Sequence, residues 1–196
     1  MYKILCVSNS RICTGDFLSH IELLAQSEIY GIILREKHLT EREYIVLAEK
    51  VIKICNKYNK LCILHNFIDV AIQLNHNAIH LPMPVLESSQ NKLKSFNIVG
   101  ASVHSVEQAQ QAEKLGATYI TYGHIFATNC KKGLPPKGIN SIKNVAKSVS
   151  IPVYPLGGIN KENINFVKQQ GTGGCAVMSG LMTDDYADIL QSLYME

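Results

Sequence analysis

The chain has 196 residues, of which 46% are hydrophobic and 18% charged, a balance that suits one or at most two domains with a real core. Lys and Arg number 19 against 16 Asp and Glu, a net charge of +3, and the positives are scattered rather than gathered into a stripe, which argues against a nucleic-acid partner. No apolar run approaches the ~18 residues of a membrane span, and Met1-Tyr2-Lys3 leads straight into a strand-like segment, so neither a membrane segment nor a signal peptide is expected.

Short apolar runs recur along the whole chain: Tyr2 to Val7, Tyr30 to Leu34, Leu61 to Leu64, Ala78 to Leu81, Ile98 to Val103, Tyr119 to Tyr122, Val153 to Leu156 and Cys175 to Met178. They are apolar throughout rather than alternating, the mark of parallel strands covered on both faces. Segments of helical period separate most of them. Glu41 to Tyr58 is the clearest, with Tyr44, Val46, Leu47, Val51, Ile52 and Ile54 read as one face. Thr40 with Glu43 and Ser105 with Gln108 match capping boxes, Asn160 precedes a helix start, and Gly116 and Gly171 are placed as C-terminal caps. Eight strands alternating with about eight helices predict an α/β fold, a closed (β/α)8 TIM barrel forming a single domain over 1–196. An open doubly wound sheet fits less well, because Ser8-Asn9-Ser10-Arg11 stands where its glycine-rich turn belongs.

Cys6, Cys62 and Cys175 lie in strand-like runs, Cys55 ends a helix, and no Cys-x-x-Cys pair occurs. This usage predicts reduced thiols and a cytoplasmic protein.

A barrel places its chemistry at the carboxyl ends of its strands. Those positions hold Arg35, Glu36 and Lys37, then His65 and Asn66, Ser102 and His104, His124, Gly157 and Gly158, and Ser179 and Gly180. Imidazoles abound there and carboxylates are scarce. Gly157-Gly158 and Ser179-Gly180 follow the last two strands and offer backbone amides to a phosphate without a metal, although turns alone would also explain such glycines. The stretch from Gly123 to Gly138 is long enough to be functional and carries Lys131, Lys132 and two prolines, as expected of a lid over an anion. His124 heads that lid. An imidazole can both remove and deliver a proton near neutral pH, so His124 is the candidate acid and base. Cys130 beside the two lysines is a weaker candidate as nucleophile, Asp69 reads as a cap or ion-pair partner, and His20, His38 and His76 read as surface residues.

Arg35-Glu36-Lys37, Ile68-Asp69-Val70-Ala71, Ala101 to Glu107, Tyr122 to Gly133, Leu156-Gly157-Gly158-Ile159 and Ala176 to Gly180, taken in order, resemble the thiamine phosphate synthase and TenI superfamily. The synthase branch joins a pyrimidine pyrophosphate to a thiazole phosphate, and resemblance to it implies two magnesium-binding aspartates and a Gln-x-Arg-x-Lys strand. Here Ile33 takes the glutamine position, Asn66 the first aspartate position, and Pro82-Met83-Pro84-Val85 supplies no second aspartate. The TenI-type thiazole tautomerases carry the loop Gly-His-x-Phe-x-Thr-x-Cys-Lys-Lys-Gly, which stands at Gly123 to Gly133.

That likeness implies isomerisation of a carboxythiazole phosphate to its aromatic tautomer with His124 as the catalytic group. It implies no cofactor and no magnesium site. Substrate contacts are then expected from Arg35, Lys37, His65, Asn66, Ser102, His104, Thr128 and Lys131, and phosphate contacts from Gly157, Gly158, Ser179 and Gly180. Both branches usually have Asn at the His65 position and Arg at the Phe67 position, a departure that bears on the ring pocket. The expected partner is a small thiazole phosphate, and the reading allows a homo-oligomer. The alternatives are a synthase-like transferase and a regulatory protein that binds thiazole or thiamin phosphates without catalysis. A metal hydrolase built on His65, His80, His104 and His124 fits poorly, since no His-x-His pair and no suitable aspartate completes it.

Overall fold

A computed structural model describes residues 2–131, 133–184 and 186–194. Eight parallel strands, β1 (Lys3–Val7), β2 (Gly31–Leu34), β3 (Leu61–His65), β4 (Ala78–Pro82), β5 (Ile98–Val103), β6 (Tyr119–Gly123), β7 (Val153–Leu156) and β8 (Gly174–Val177), close in chain order, with β1 paired to β8. The helices around them are α1 (Phe17–Gln26), α2 (Glu41–Lys57), α3 (Ile68–Gln73), α4 (Met83–Ser88), α5 (Val106–Lys114), α6 (Asn140–Ser148), α7 (Ile164–Lys168), α8 (Ser179–Met182) and α9 (Tyr186–Tyr194). The protein is a single (β/α)8 barrel domain, as the alternation of apolar runs predicts. Among the described residues, no helix is long and apolar enough to cross a membrane.

The apolar runs divide by residue parity. Ile4 and Cys6, Ile32 and Leu34, and Val99, Ala101 and Val103 face the helices, whereas Leu5, Val7, Ile33, Ile63, Tyr119, Tyr154 and Ala176 fill the barrel. Burial on both sides is why period-2 alternation is missing from the sequence. The inward series then turns polar towards the carboxyl ends: Arg35 after β2, His65 on β3, His80 on β4, Ser102 on β5 and Thr121 on β6 all line one cavity.

The helix α2 shows both what the pattern predicts and where it misleads. The Thr40–Glu43 capping box is present, with Glu43 N–H donating to Thr40 Oγ1 at 3.3 Å and Thr40 N–H to the Glu43 carboxylate at 2.8 Å. The buried stripe is Tyr44, Ala48, Val51 and Cys55, and Val46 from the predicted face is 52% exposed. Small Ala48 and Cys55 occupy the line of closest approach, displacing the larger aliphatics to its flanks. Ser105 caps α5 by accepting from Gln108 N–H at 3.2 Å, but the Gln108 side chain takes His104 N–H at 2.8 Å instead of closing a box. Asn160 sits in a turn, accepting from Glu162 and Asn163 N–H, and α7 starts only at Ile164. Gly116 and Gly171 have φ of +91° and +79°, the left-handed geometry of a C-terminal cap.

Two buried contacts fix the strand ends that carry the site. The Tyr44 hydroxyl donates to Leu34 C=O at 2.7 Å and accepts His65 N–H at 2.9 Å, tying α2 to the ends of β2 and β3. Tyr44→Phe would leave a buried donor and a buried acceptor unpaired, which predicts a loss of about 1–3 kcal/mol by chemical denaturation. A loss below a few tenths of that would show that water takes the hydroxyl's place.

Candidate active site

The strand carboxyl ends enclose a cavity of about 450 Å³. Of the predicted substrate residues, Arg35, Lys37, His65, Ser102, His104, His124, Thr128 and Lys131 line it, as do Gly157, Gly158 and Ser179. Asn66 and Gly180 do not. Asn66 adopts φ of +72° in the turn after β3, where its N–H donates to His80 C=O at 3.0 Å, so asparagine there serves a left-handed backbone. A Cβ on Gly180 would meet Ile189 Cδ1 at 2.0 Å, so this glycine lets α9 pack on α8. Lys132 of the predicted lid lies outside the described residues.

The electrostatics are one-sided. Arg35, Lys37 and Lys131 converge on the cavity, and Lys37 is held below the usual ammonium range, first by burial and then by the Arg35 and Lys131 charges. Among the described residues no Asp or Glu lines the cavity. Glu36 lies between two of these cations in sequence but turns away to bind the loop after β1. It is almost fully buried and accepts from Ser8 Oγ at 2.6 Å, Ser10 Oγ at 2.7 Å and Ser10 N–H at 2.9 Å. Ser8 Oγ in turn accepts Arg35 N–H at 2.9 Å, so the carboxylate anchors the backbone that presents the cations. Cations gathered in a cavity without a carboxylate among its described residues favour an anionic ligand.

The loop between Gly123 and Gly138 is tied at its two ends. Ile125 N–H and Phe126 N–H donate to Leu156 and Gly157 C=O, both at 3.0 Å, and Lys137 and Gly138 N–H return to His124 and Ile125 C=O at 2.9 and 3.1 Å. Gly157, at φ of +101°, is required here by packing, since a Cβ would stand 2.4 Å from His124 Cβ. At Gly158 a Cβ would meet Ala127 C=O at 2.6 Å. The glycine pair therefore seats the lid and His124 against β7.

His124 is 9% exposed, and its Nε2 lies 3.2 Å from Leu134 C=O. A carbonyl only accepts, so Nε2 carries a proton, and no partner of Nδ1 occurs among the described residues. His104, exposed at the mouth, places its Nδ1 2.7 Å from Gly123 C=O and so steadies the residue before His124. Deeper in the barrel, the rings of His65 and His80 stack with centroids 5.8 Å apart. Burial holds His65 well below the usual imidazole range, helped by His80, Arg35 and Lys37, and pushes His80 down to about 3, helped by Arg35. Both rings are neutral.

His80, Thr121 and Gln108 line the cavity although sequence reasoning did not single them out as binding residues. A polar residue at an inward position of an otherwise apolar strand was the available signal for the first two. The three imidazoles read as surface residues divide. His20 is buried, its Nε2 2.7 Å from Leu181 C=O, and His76 is half-buried against Cys62 C=O at 2.8 Å, whereas His38 lies at the surface beside Ser10 and Glu36. Asp69 pairs with Lys92 at 2.7 Å.

Residues 4–181 match the family described as thiamine monophosphate synthase. The chain belongs to that family. It is 33% identical over 186 residues to the thiamine-phosphate synthase of Clostridium acetobutylicum, covering 93% of this chain and 88% of that protein. It is 37% identical over 178 residues to a putative thiamine-phosphate synthase 2 of Aquifex aeolicus, covering 90% and 96%. Among solved structures, the thiamine phosphate pyrophosphorylase of Pyrococcus furiosus superposes with a TM-score of 0.85 at 27% identity, covering 98% of this chain and 93% of that one.

Magnesium, which the likeness to the synthase branch implies, finds a poor donor set in this family member. Mg²⁺ is bound through carboxylates, whereas this cavity presents cations and neutral imidazoles, Asn66 is engaged in a turn, and Pro82, Met83 and Pro84 line the wall at the adjacent strand. Among the described residues no cluster of three or more His, Cys, Asp or Glu has metal-binding geometry.

The buried neutral imidazoles give the folded state a pH dependence. The unfolded chain protonates His80 near 6.5, whereas the folded chain does so only near 3, so its contribution is complete above ~6.5 and is lost progressively as pH falls towards 3. Denaturation curves measured between pH 7.5 and 4.5 should show wild-type stability falling on acidification, with a slope that drops by about 1.4 kcal/mol per pH unit in His80→Leu. Equal slopes would mean that His80 protonates in the native state.

Proposed function

We propose that this family member is a metal-independent thiazole tautomerase, which binds a phosphorylated carboxythiazole and moves one proton with His124. Nδ1 of His124, unpartnered at the lid root, takes the proton from ring C2. The electron pair of the broken C–H bond enters the ring system, and negative charge spreads towards the carboxylate, where Arg35 and Lys37 stabilise it. The imidazolium then returns the proton to the exocyclic carbon, completing the aromatic ring, with no net change in charge. The backbone at Gly157 and Gly158 and the Ser179 hydroxyl hold the phosphate, and Lys131 and Thr128 cover it from the lid. The observation that carries this reading is a cavity rich in cations and imidazole and free of carboxylate among its described residues, beside an imidazole whose Nδ1 has no partner among those residues.

A second reading, transfer between a pyrimidine pyrophosphate and a thiazole phosphate, is favoured by the names of the relatives. It would require Arg35, Lys37 and Lys131 to neutralise the leaving pyrophosphate in place of a cation held by carboxylates.

In D2O, where the imidazolium trades its proton for a solvent deuteron before returning it, wild-type enzyme given the carboxythiazole phosphate should place deuterium on the exocyclic carbon of the aromatic product. His124→Asn should slow this by about 10²–10⁴-fold while phosphate binding survives. Exchange at the wild-type rate in the variant would remove His124 from the chemistry. Ser179→Ala should weaken binding of the same compound, and unchanged affinity would place the phosphate elsewhere.

A further inference from the structure

A hydrogen-bonded line crosses the barrel interior beneath the cavity. His80 Nδ1 lies 2.9 Å from the Tyr119 hydroxyl and His80 Nε2 lies 2.8 Å from Ser102 Oγ. Thr121 Oγ1 approaches the same group, 3.4 Å from His80 Nε2 and 3.5 Å from Ser102 Oγ as a donor. Tyr119 and His80 are buried, whereas Ser102 reaches the cavity that Arg35 and Lys37 also line. The meeting of Tyr119 and His80 depends on a glycine in mid-strand. Gly100 has no positive φ, but a Cβ there would fall 2.3 Å from His80 Nδ1 and 2.3 Å from the Tyr119 oxygen. The glycine is explained by the junction it leaves room for.

Hydrogen-bond accounting sets the direction of the line. Tyr119 O–H has no acceptor other than His80 Nδ1 among the described residues. If Nδ1 carried the proton, the phenol hydrogen would be buried without a partner, at a cost in the range of a lost hydrogen bond. Tyr119 therefore donates to Nδ1, and Nε2–H donates to Ser102 Oγ. With Nε2–H and the Thr121 hydroxyl directed at its lone pairs, Ser102 keeps only its own hydrogen to offer, and that hydrogen is available to the cavity.

We propose that Tyr119 and His80 are positioning residues that fix the Ser102 hydroxyl as an obligatory donor, making this wall of the cavity select a ligand acceptor, the carboxylate of an anionic heterocycle. The inference rests on the cavity being the ligand site of the proposed tautomerase. A ligand presenting only an N–H to this wall would face a donor and be rejected, whereas a hydroxyl would be taken only as an acceptor. Burial keeps His80 neutral across the working pH range, so the polarity of the line does not reverse with pH.

The ligand-free protein tests the line without reference to the reaction. Long-range ¹⁵N–¹H spectra of the wild type should show His80 as a single neutral tautomer, with Nε2 protonated and Nδ1 not, and the Nδ1-protonated form would overturn the proposal. Binding then tests its consequence, with the carboxythiazole phosphate as probe and titration calorimetry as readout. Ser102→Ala should weaken binding ~10–100-fold, the worth of a hydrogen bond to a charged acceptor. In a Tyr119→Phe background, where the tautomer is no longer locked, the same change should cost several-fold less. Additive losses in the double variant would reduce Tyr119 to a packing role and refute the coupling. A correct tautomer with coupled binding but no turnover would contradict the tautomerase reading and leave this inference standing.

Discussion

Closing eight parallel strands into a barrel directs every inward side chain at the carboxyl end towards one enclosed volume, so the charge balance of those few positions governs what can bind there. In this protein the inward series ends in Arg35, His65, His80, Ser102 and Thr121, with Lys37 and Lys131 at the rim and no carboxylate among the described lining residues. Glu36, a buried carboxylate nearby, is consumed in anchoring the loop after β1. The proposed anionic ligand would supply the compensating charge that these walls lack. Burial first, and the neighbouring cations second, account for the depressed Lys37 and the depressed imidazoles, and the scarcity of carboxylate accounts for the poor match to a divalent cation.

Position within the cavity follows from the same architecture. The β7 and β8 ends provide glycine and hydroxyl, the β2 end provides cations, and β6 provides His124 between them. The Gly157–Gly158 pair links two of these functions, because the close approach that exposes its backbone also lets the lid root and His124 lie against β7. A substitution at Gly157 would therefore disturb the acid and base group together with any phosphate contact.

The strands were legible because burial on both faces leaves an unbroken apolar run, and each observed strand lies within one residue of the run that predicts it. The α2 stripe was less so: a count of large apolar residues includes exposed Val46 and passes over Ala48 and Cys55, which are buried because they are small. Among site residues, reading the ends of strands finds those that follow an apolar run, such as Arg35, His65 and His124. It overstates Asn66 and Gly180, whose residue types answer local backbone and packing demands. It underrates His80 and gives no account of Gly100 or Tyr119, since a hydrogen bond across a barrel joins residues with no sequence relation other than inward parity. Family resemblance supplied the chemistry expected of the His124 loop; the cavity supplies the charge argument that bears on which branch of chemistry it can perform.

The central claim is that this cavity works on an anionic thiazole without a divalent cation. The most direct measurement follows two reactions of the same preparation by NMR: conversion of carboxythiazole phosphate to its aromatic tautomer with excess chelator, and condensation of pyrimidine pyrophosphate with thiazole phosphate in saturating magnesium. The account predicts rapid conversion in the first, unaffected by the chelator, and no product in the second. Magnesium-dependent condensation, with tautomerisation no faster than in buffer, would contradict it.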